Sequence, residues 1–103
     1  MTVRSGFWVG SSELSNWNLA REKSTLSEDS TQTQEISVEF TPAFSGKPLV
    51  AASLAGIHLS REFDTSVELE AAKVAPTGFV IKISAKGKCV LGGLRVTWTA
   101  FGN

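Results

Sequence analysis

One cysteine, one histidine and no tyrosine occur among the 103 residues. A single thiol rules out an intrachain disulfide, so the fold does not demand an oxidising compartment. With His58 as the only imidazole, a zinc site would have to be assembled from scattered carboxylates, and a strand-end histidine satisfied by a hydrogen bond is the simpler reading. A Cys–His nucleophile pair is opposed by the apolar start of the strand around Cys89, which suits a buried, inert thiol. An excess of one charge is also missing: ten basic residues balance ten acidic ones. That balance removes the basic surplus expected of general nucleic-acid or anionic-membrane binders, and it leaves little colloidal repulsion against self-association. No apolar run approaches the ~18 residues of a membrane-spanning helix. The stretch MTVRSGFWVG lacks the apolar segment of a signal peptide, so the expected location is cytoplasmic, or outside the cell by release without a signal peptide. Cofactor, metal, nucleic acid and membrane insertion are all outside the expectation.

What is present is period-two patterning. Ile36, Val38 and Phe40 alternate with polar residues, as do Val67, Leu69 and Ala71. The same holds for Phe79, Ile81 and Ile83, and for Leu94, Val96, Trp98 and Ala100. Each series predicts a strand with one apolar face. PLVAASLAGI (48–57) is apolar on both faces and predicts a central strand covered on both sides. VRSGFWV (3–9) supplies a sixth strand. Between strands, TPAFSGKP (41–48) ends one run and starts the next, with Pro48 at the strand entrance. APTG (75–78) fits a type I turn, with Pro76 second and Gly78 fourth. The mostly polar segment from Ser11 to Gln34 predicts a long ordered loop, a length that in small domains is often functional. The pattern implies a single all-β domain over 1–103, a six-stranded antiparallel β-sandwich.

Catalytic motifs fail on closer reading. SAKGKC (84–89) has a glycine beside lysines, yet it lacks the first glycine and the hydroxyl residue of a phosphate-binding loop, and a strand follows instead of a helix. A hairpin turn with Gly87 at positive φ is the reading that remains. Glu68 and Glu70 share one strand face, which is the spacing of plain surface charge more often than of a glycosidase pair. Trp98 is in phase with the core series. Trp8, out of phase with Phe7 and Val9, and Trp17, in the loop, are candidates for exposed binding or subunit contact.

Four segments, RSGFW, ISVEFTPAFSGKPLVAASLAGI, VAPTGFVIKI and VTWTAFG, occur in an order and spacing that resemble the H-type lectin domain, over about residues 4–101. That family includes snail agglutinins and the C-terminal domain of the discoidins. The resemblance implies a six-stranded antiparallel sandwich, a homotrimer or two trimers stacked as a hexamer, and binding of galactose-type sugars, notably N-acetylgalactosamine, near a contact between protomers.

The resemblance also implies sugar-contacting positions. The family's aspartate, which accepts hydrogen bonds from sugar hydroxyls, matches Asp29, and the small residue before it matches Ser27. The family's arginine falls on Ser66, and its Trp-His pair falls on Lys86 and Gly87, so these three side chains depart from the pattern. Lys86 cannot offer the flat ring on which the apolar face of galactose lies. Lys86, Lys88 and nearby Arg61 can instead donate charge-assisted hydrogen bonds to hydroxyl or carboxylate groups. The expectation is a non-catalytic, multivalent carbohydrate-binding protein with an altered specificity among galactose-type or related glycans; the alternative is a structural trimerisation module that binds no sugar. Asp29, Ser27, Ser66, Lys86, Gly87 and Lys88 are the expected sugar-binding residues.

Overall fold

The computed structural model describes residues 1–11, 19 and 31–103, with the side chains of 58–65 and 88–91 left aside. Strand β1 spans Thr2–Ser11, β2 Thr31–Glu39, β3 Leu49–Ala75 and β4 Gly78–Gly102. All pairings are antiparallel, and no helix occurs among the described residues. Each of the long strands serves twice. The C-terminal half of β4 lies between β1 and the first half of β3, with Trp98 opposite both Gly6 and Ala52. The N-terminal half of β4 lies between β2 and the second half of β3, with Ile81 opposite both Ile36 and Ala71. Six antiparallel strand segments thus form two three-stranded layers, the expected sandwich, with β3 and β4 each passing from one layer to the other.

The layers pack through the residues that alternation marked as apolar. Ile81, Ile83, Val96 and Ala100 are fully buried, beside Phe79, Ala85 and Leu94. Fully burying one such aliphatic side chain stabilises by about 1.5–3 kcal/mol. Phe79 of the second layer meets Trp98 of the first edge-on, with ring centroids 5.5 Å apart. Phe40 joins them, 5.7 Å from Phe79 and 5.8 Å from Trp98. Glycine at position 6 lets the indole lie across β1, since a Cβ there would come within 2.7 Å of the Trp98 ring.

The connection from β2 to β3 closes this aromatic end. Phe40 and Phe44 donate backbone N–H groups to the carbonyls of Thr77 and Pro76, each at 2.9 Å. Phe44 packs edge-on against Phe40 at 4.9 Å, and the Arg4 guanidinium lies 4.8 Å above the Phe44 ring while donating to the Pro42 carbonyl. These contacts tie β1, the connection and the β3–β4 turn into one unit at the end of the second layer that lies away from the start of β2.

Four local expectations change. The last residues of the expected loop, Thr31–Gln34, are strand, because Gln32 and Gln34 turn inward and are buried in register with Ala85 and Ile83. The segment 48–57 is neither central nor covered on both sides: β3 pairs only with β4, and on its outward side Leu49 and Ala51 are exposed. Its second apolar face belongs to the molecular surface. In β1 the phase is reversed, with Trp8 half-buried against the core while Phe7 and Val9 are exposed. Finally, ISAKGKC is no turn. It lies within continuous β4, and the β3–β4 hairpin closes at Pro76–Thr77, as the APTG reading predicts.

Candidate functional site

Gly87 does take the positive φ expected of it, at 101°, but inside a strand. The reason lies across the ladder. Ser66 pairs with Lys86 and Glu62 with Lys88, so residues 63–65 of β3 stand opposite the single residue Gly87. An insertion of this kind bends the strand, sharpens its twist and re-aims the flanking side chains. A positive φ in the partner strand is tolerated there because glycine has no Cβ to clash. The bend falls where β3 and β4 pass from one layer to the other.

The register brings separate parts of the sequence together at this bend. Lys86 is the central member of a row with Thr31 at the start of β2 on one side and Ser66 of β3 on the other. Adjacent strands lie ~4.8 Å apart, so the row spans about 10 Å. All three residues are exposed on the outer face, while Gly87 is buried. Of the expected sugar-binding residues, Ser66, Lys86 and Gly87 are thus brought together. Lys88 follows in β4 opposite Glu62, with its side chain outside the described residues, as is that of Arg61, paired with Cys89. Ser27 and Asp29 lie outside the described residues, as does Trp17. Thr31 is a member of the row that sequence reasoning missed; its loop-like composition hid the strand that carries it.

Two more rows continue the outer face of the second layer. Thr33, Ser84 and Glu68 form one, and Glu35, Lys82 and Glu70 the other. Glu68 and Glu70 are on one exposed face, as alternation requires. A depression of about 360 Å³ is lined by Glu68, Leu69, Glu70, Lys82 and Ser84. A second depression, of about 410 Å³, lies at the other end of the layer, beside Glu39, Thr41, Lys73 and Thr77. Among the described residues, no group of three or more potential metal ligands occurs. No helix of the described residues is long and apolar enough to cross a membrane.

The outer face of the first layer is different. Val3, Phe101 and Leu49 form one row, Ser5, Thr99 and Ala51 the next, and Phe7, Thr97 and Ser53 the third. Phe7 and Leu49 are each 72% exposed. The Ser53 and Thr97 hydroxyls are 3.1 Å apart and share a hydrogen bond across the strands. Arg95, beside Val9, is the charged residue on this face within β1 and the C-terminal half of β4.

The fold is similar to that of part of discoidin II from Dictyostelium discoideum. The native recombinant form superposes with a TM-score of 0.77 at 17% sequence identity, covering 99% of this chain and 38% of that chain. A wild-type discoidin II structure gives a TM-score of 0.76 at 16% identity, covering 96% of this chain and 35% of that chain. This chain therefore spans little more than a third of the length of those proteins. No curated protein sequence matches it significantly. The model of the H-type lectin domain matches residues 35–101, which include the bend, Ser66 and Lys86 and begin after Ser27 and Asp29. With well over half of its length matched and the sandwich in place, the chain belongs to the H-type lectin domain family.

Proposed function

We propose that this protein is a non-catalytic lectin that recognises galactose- or N-acetylgalactosamine-type or related glycans at the bend. One observation carries the reading: in a lectin-family chain, the ladder gathers Ser66, Lys86 and Gly87 onto the edge where β2 begins. Asp29 precedes Thr31 by two residues, a tether of at most about 7 Å, and Ser27 precedes it by four. The Asp29 carboxylate accepts hydrogen bonds from sugar hydroxyls, and Ser27 contributes its backbone or hydroxyl. Lys86 and Lys88 donate charge-assisted hydrogen bonds. Ser66, short where relatives carry arginine, contacts the sugar or leaves room for a larger one. Gly87 sets the wall by bending β4 instead of by a side chain.

The apolar face of the first layer supports a homotrimer. An exposed patch containing Phe7, Val3, Val9 and Leu49 marks a protein contact, and copies of this chain satisfy it in a closed ring. Two trimers stacked as a hexamer preserve the same contact. Three weak sugar sites on one assembly raise avidity by ~10²–10⁴ toward a target with several sugars. The same face supports a second reading, a trimerisation module with no ligand, since burying it requires no sugar.

Titration calorimetry with N-acetylgalactosamine and galactose, on the parent and Asp29→Ala, separates the two. The lectin reading expects saturable heat that Asp29→Ala abolishes while the assembly mass is retained. Heat unchanged by Asp29→Ala moves the site elsewhere, and a trimer that binds no sugar supports the structural module.

A further inference from the structure

We infer that the sugar site extends along the outer face of the second layer, where the depression between Glu68, Glu70, Lys82 and Ser84 holds a further sugar unit that is neutral or carries an amino group. This inference rests on the lectin reading and adds a substrate class to it: a glycan of two or more units. Three observations carry it. The depression, at about 360 Å³, falls within the ~300–1,000 Å³ range of ligand clefts. It is continuous with the row at the bend, because Ser84 and Glu68 form the row next to Lys86 and Ser66 on the same face. One such step along a strand is about 6.8 Å, comparable with the advance of one pyranose ring along a glycan.

The third observation is the chemistry of the lining. The Glu68 and Glu70 carboxylates only accept hydrogen bonds, the Lys82 ammonium only donates, and the Ser84 hydroxyl does both. Together they match the mixed donors and acceptors of a hydroxyl-rich ring. The charge reverses along the strip. Lys86 lies at the bend, whereas in the depression two carboxylates outnumber one ammonium, and Glu35 flanks Lys82 from the other side. A uronic or sialic acid unit is therefore repelled from the depression, and a hexosamine with a free amine is favoured.

The test is calorimetry on the full chain with galactose, a galactose disaccharide and trisaccharide, and the trisaccharide with its outer unit replaced by galactosamine or galacturonic acid. Parent protein is compared with Glu68→Gln/Glu70→Gln and with Glu39→Gln, which is on the same face but outside this depression. One net charge-assisted hydrogen bond corresponds to about a tenfold change in affinity. Affinity should rise about tenfold from galactose to the longer sugars, in the order amine, neutral, acid. The double variant should lose both the rise and the amine preference yet bind galactose as the parent does, and Glu39→Gln should match the parent throughout. Equal affinity for galactose and the trisaccharide in the parent, or a length dependence that survives the double variant, overturns the extended site and leaves the lectin reading intact. Absence of binding by every sugar, galactose included, refutes the lectin reading and the extension with it.

Discussion

The outer faces of the two layers are built largely from the same two long strands, and they carry opposite chemistry. On the first layer, β1 and the adjoining halves of β3 and β4 present Val3, Phe7, Leu49 and Phe101 with threonine and serine between them. On the second, β2 and the other halves present Thr31, Thr33, Glu35, Glu68, Glu70, Lys82 and Lys86. Apart from Gln32 and Gln34 at the start of β2, the buried inward residues of both layers belong to one aliphatic and aromatic core. The architecture is thus set by inward alternation, and the division of labour by the outward half of each strand. A face that excludes water suits a second copy of the chain, and one studded with donors and acceptors suits a hydroxylated ligand.

The largest effect is expected where the two faces share support. Ile83 is fully buried beneath the polar rows, and Ile83→Ala should cost about 2–5 kcal/mol by denaturant unfolding. Gly87→Ala comes next. It forces a side chain into a positive-φ position, at about 1–2 kcal/mol, and lowers the melting temperature by several degrees. Sugar binding should weaken with it, because the bend that presents Lys86 relaxes. Phe7→Asp should alter stability of the folded protomer by no more than about 0.5 kcal/mol, yet reduce the mass in light scattering to that of a monomer. Glu35→Gln, its counterpart on the polar face, should leave both mass and stability within about 0.5 kcal/mol of the parent. If instead Glu35→Gln dissociates the assembly and Phe7→Asp does not, the faces have been assigned the wrong way round.

Much of this fold is legible in the sequence because alternation is a strong signal. Val96, Trp98 and Ala100 or Phe79, Ile81 and Ile83 could face only a core, and they do. The failures come where that signal has two meanings. In 48–57, apolar residues on both sides of the strand suggest complete burial, yet Leu49 stands on the exposed outer face beside Phe101. In β1, Trp8 is a candidate for exposure because it is out of phase with the apolar pair Phe7 and Val9, and the register with Val96 turns it inward. At Thr31–Gln34 the inward residues are glutamines, so a strand there shows no apolar period. Gly87 between two lysines has the composition of a turn, but the three residues opposite it in β3 make it a bend.

The candidate site is legible to a different depth. Resemblance to the family names Ser66, Lys86 and Gly87, and the register makes them neighbours. Nothing local in the sequence announces that Thr31 joins them, because that depends on a pairing between residues 55 apart along the chain. The positions that the family resemblance matches to an arginine and a Trp-His pair are here a hydroxyl, a flexible cation and a glycine. Under the lectin reading proposed above, recognition shifts from stacking toward hydrogen bonding and shape.

A glycan array probed with the parent protein, its mass checked by light scattering, tests the central claim most directly. The account predicts binding to galactose-type or related glycans, stronger on neutral and amine-bearing chains than on acidic ones. A well-folded trimer that binds none of the neutral, amine-bearing or acidic glycans would contradict it and leave a structural module in its place.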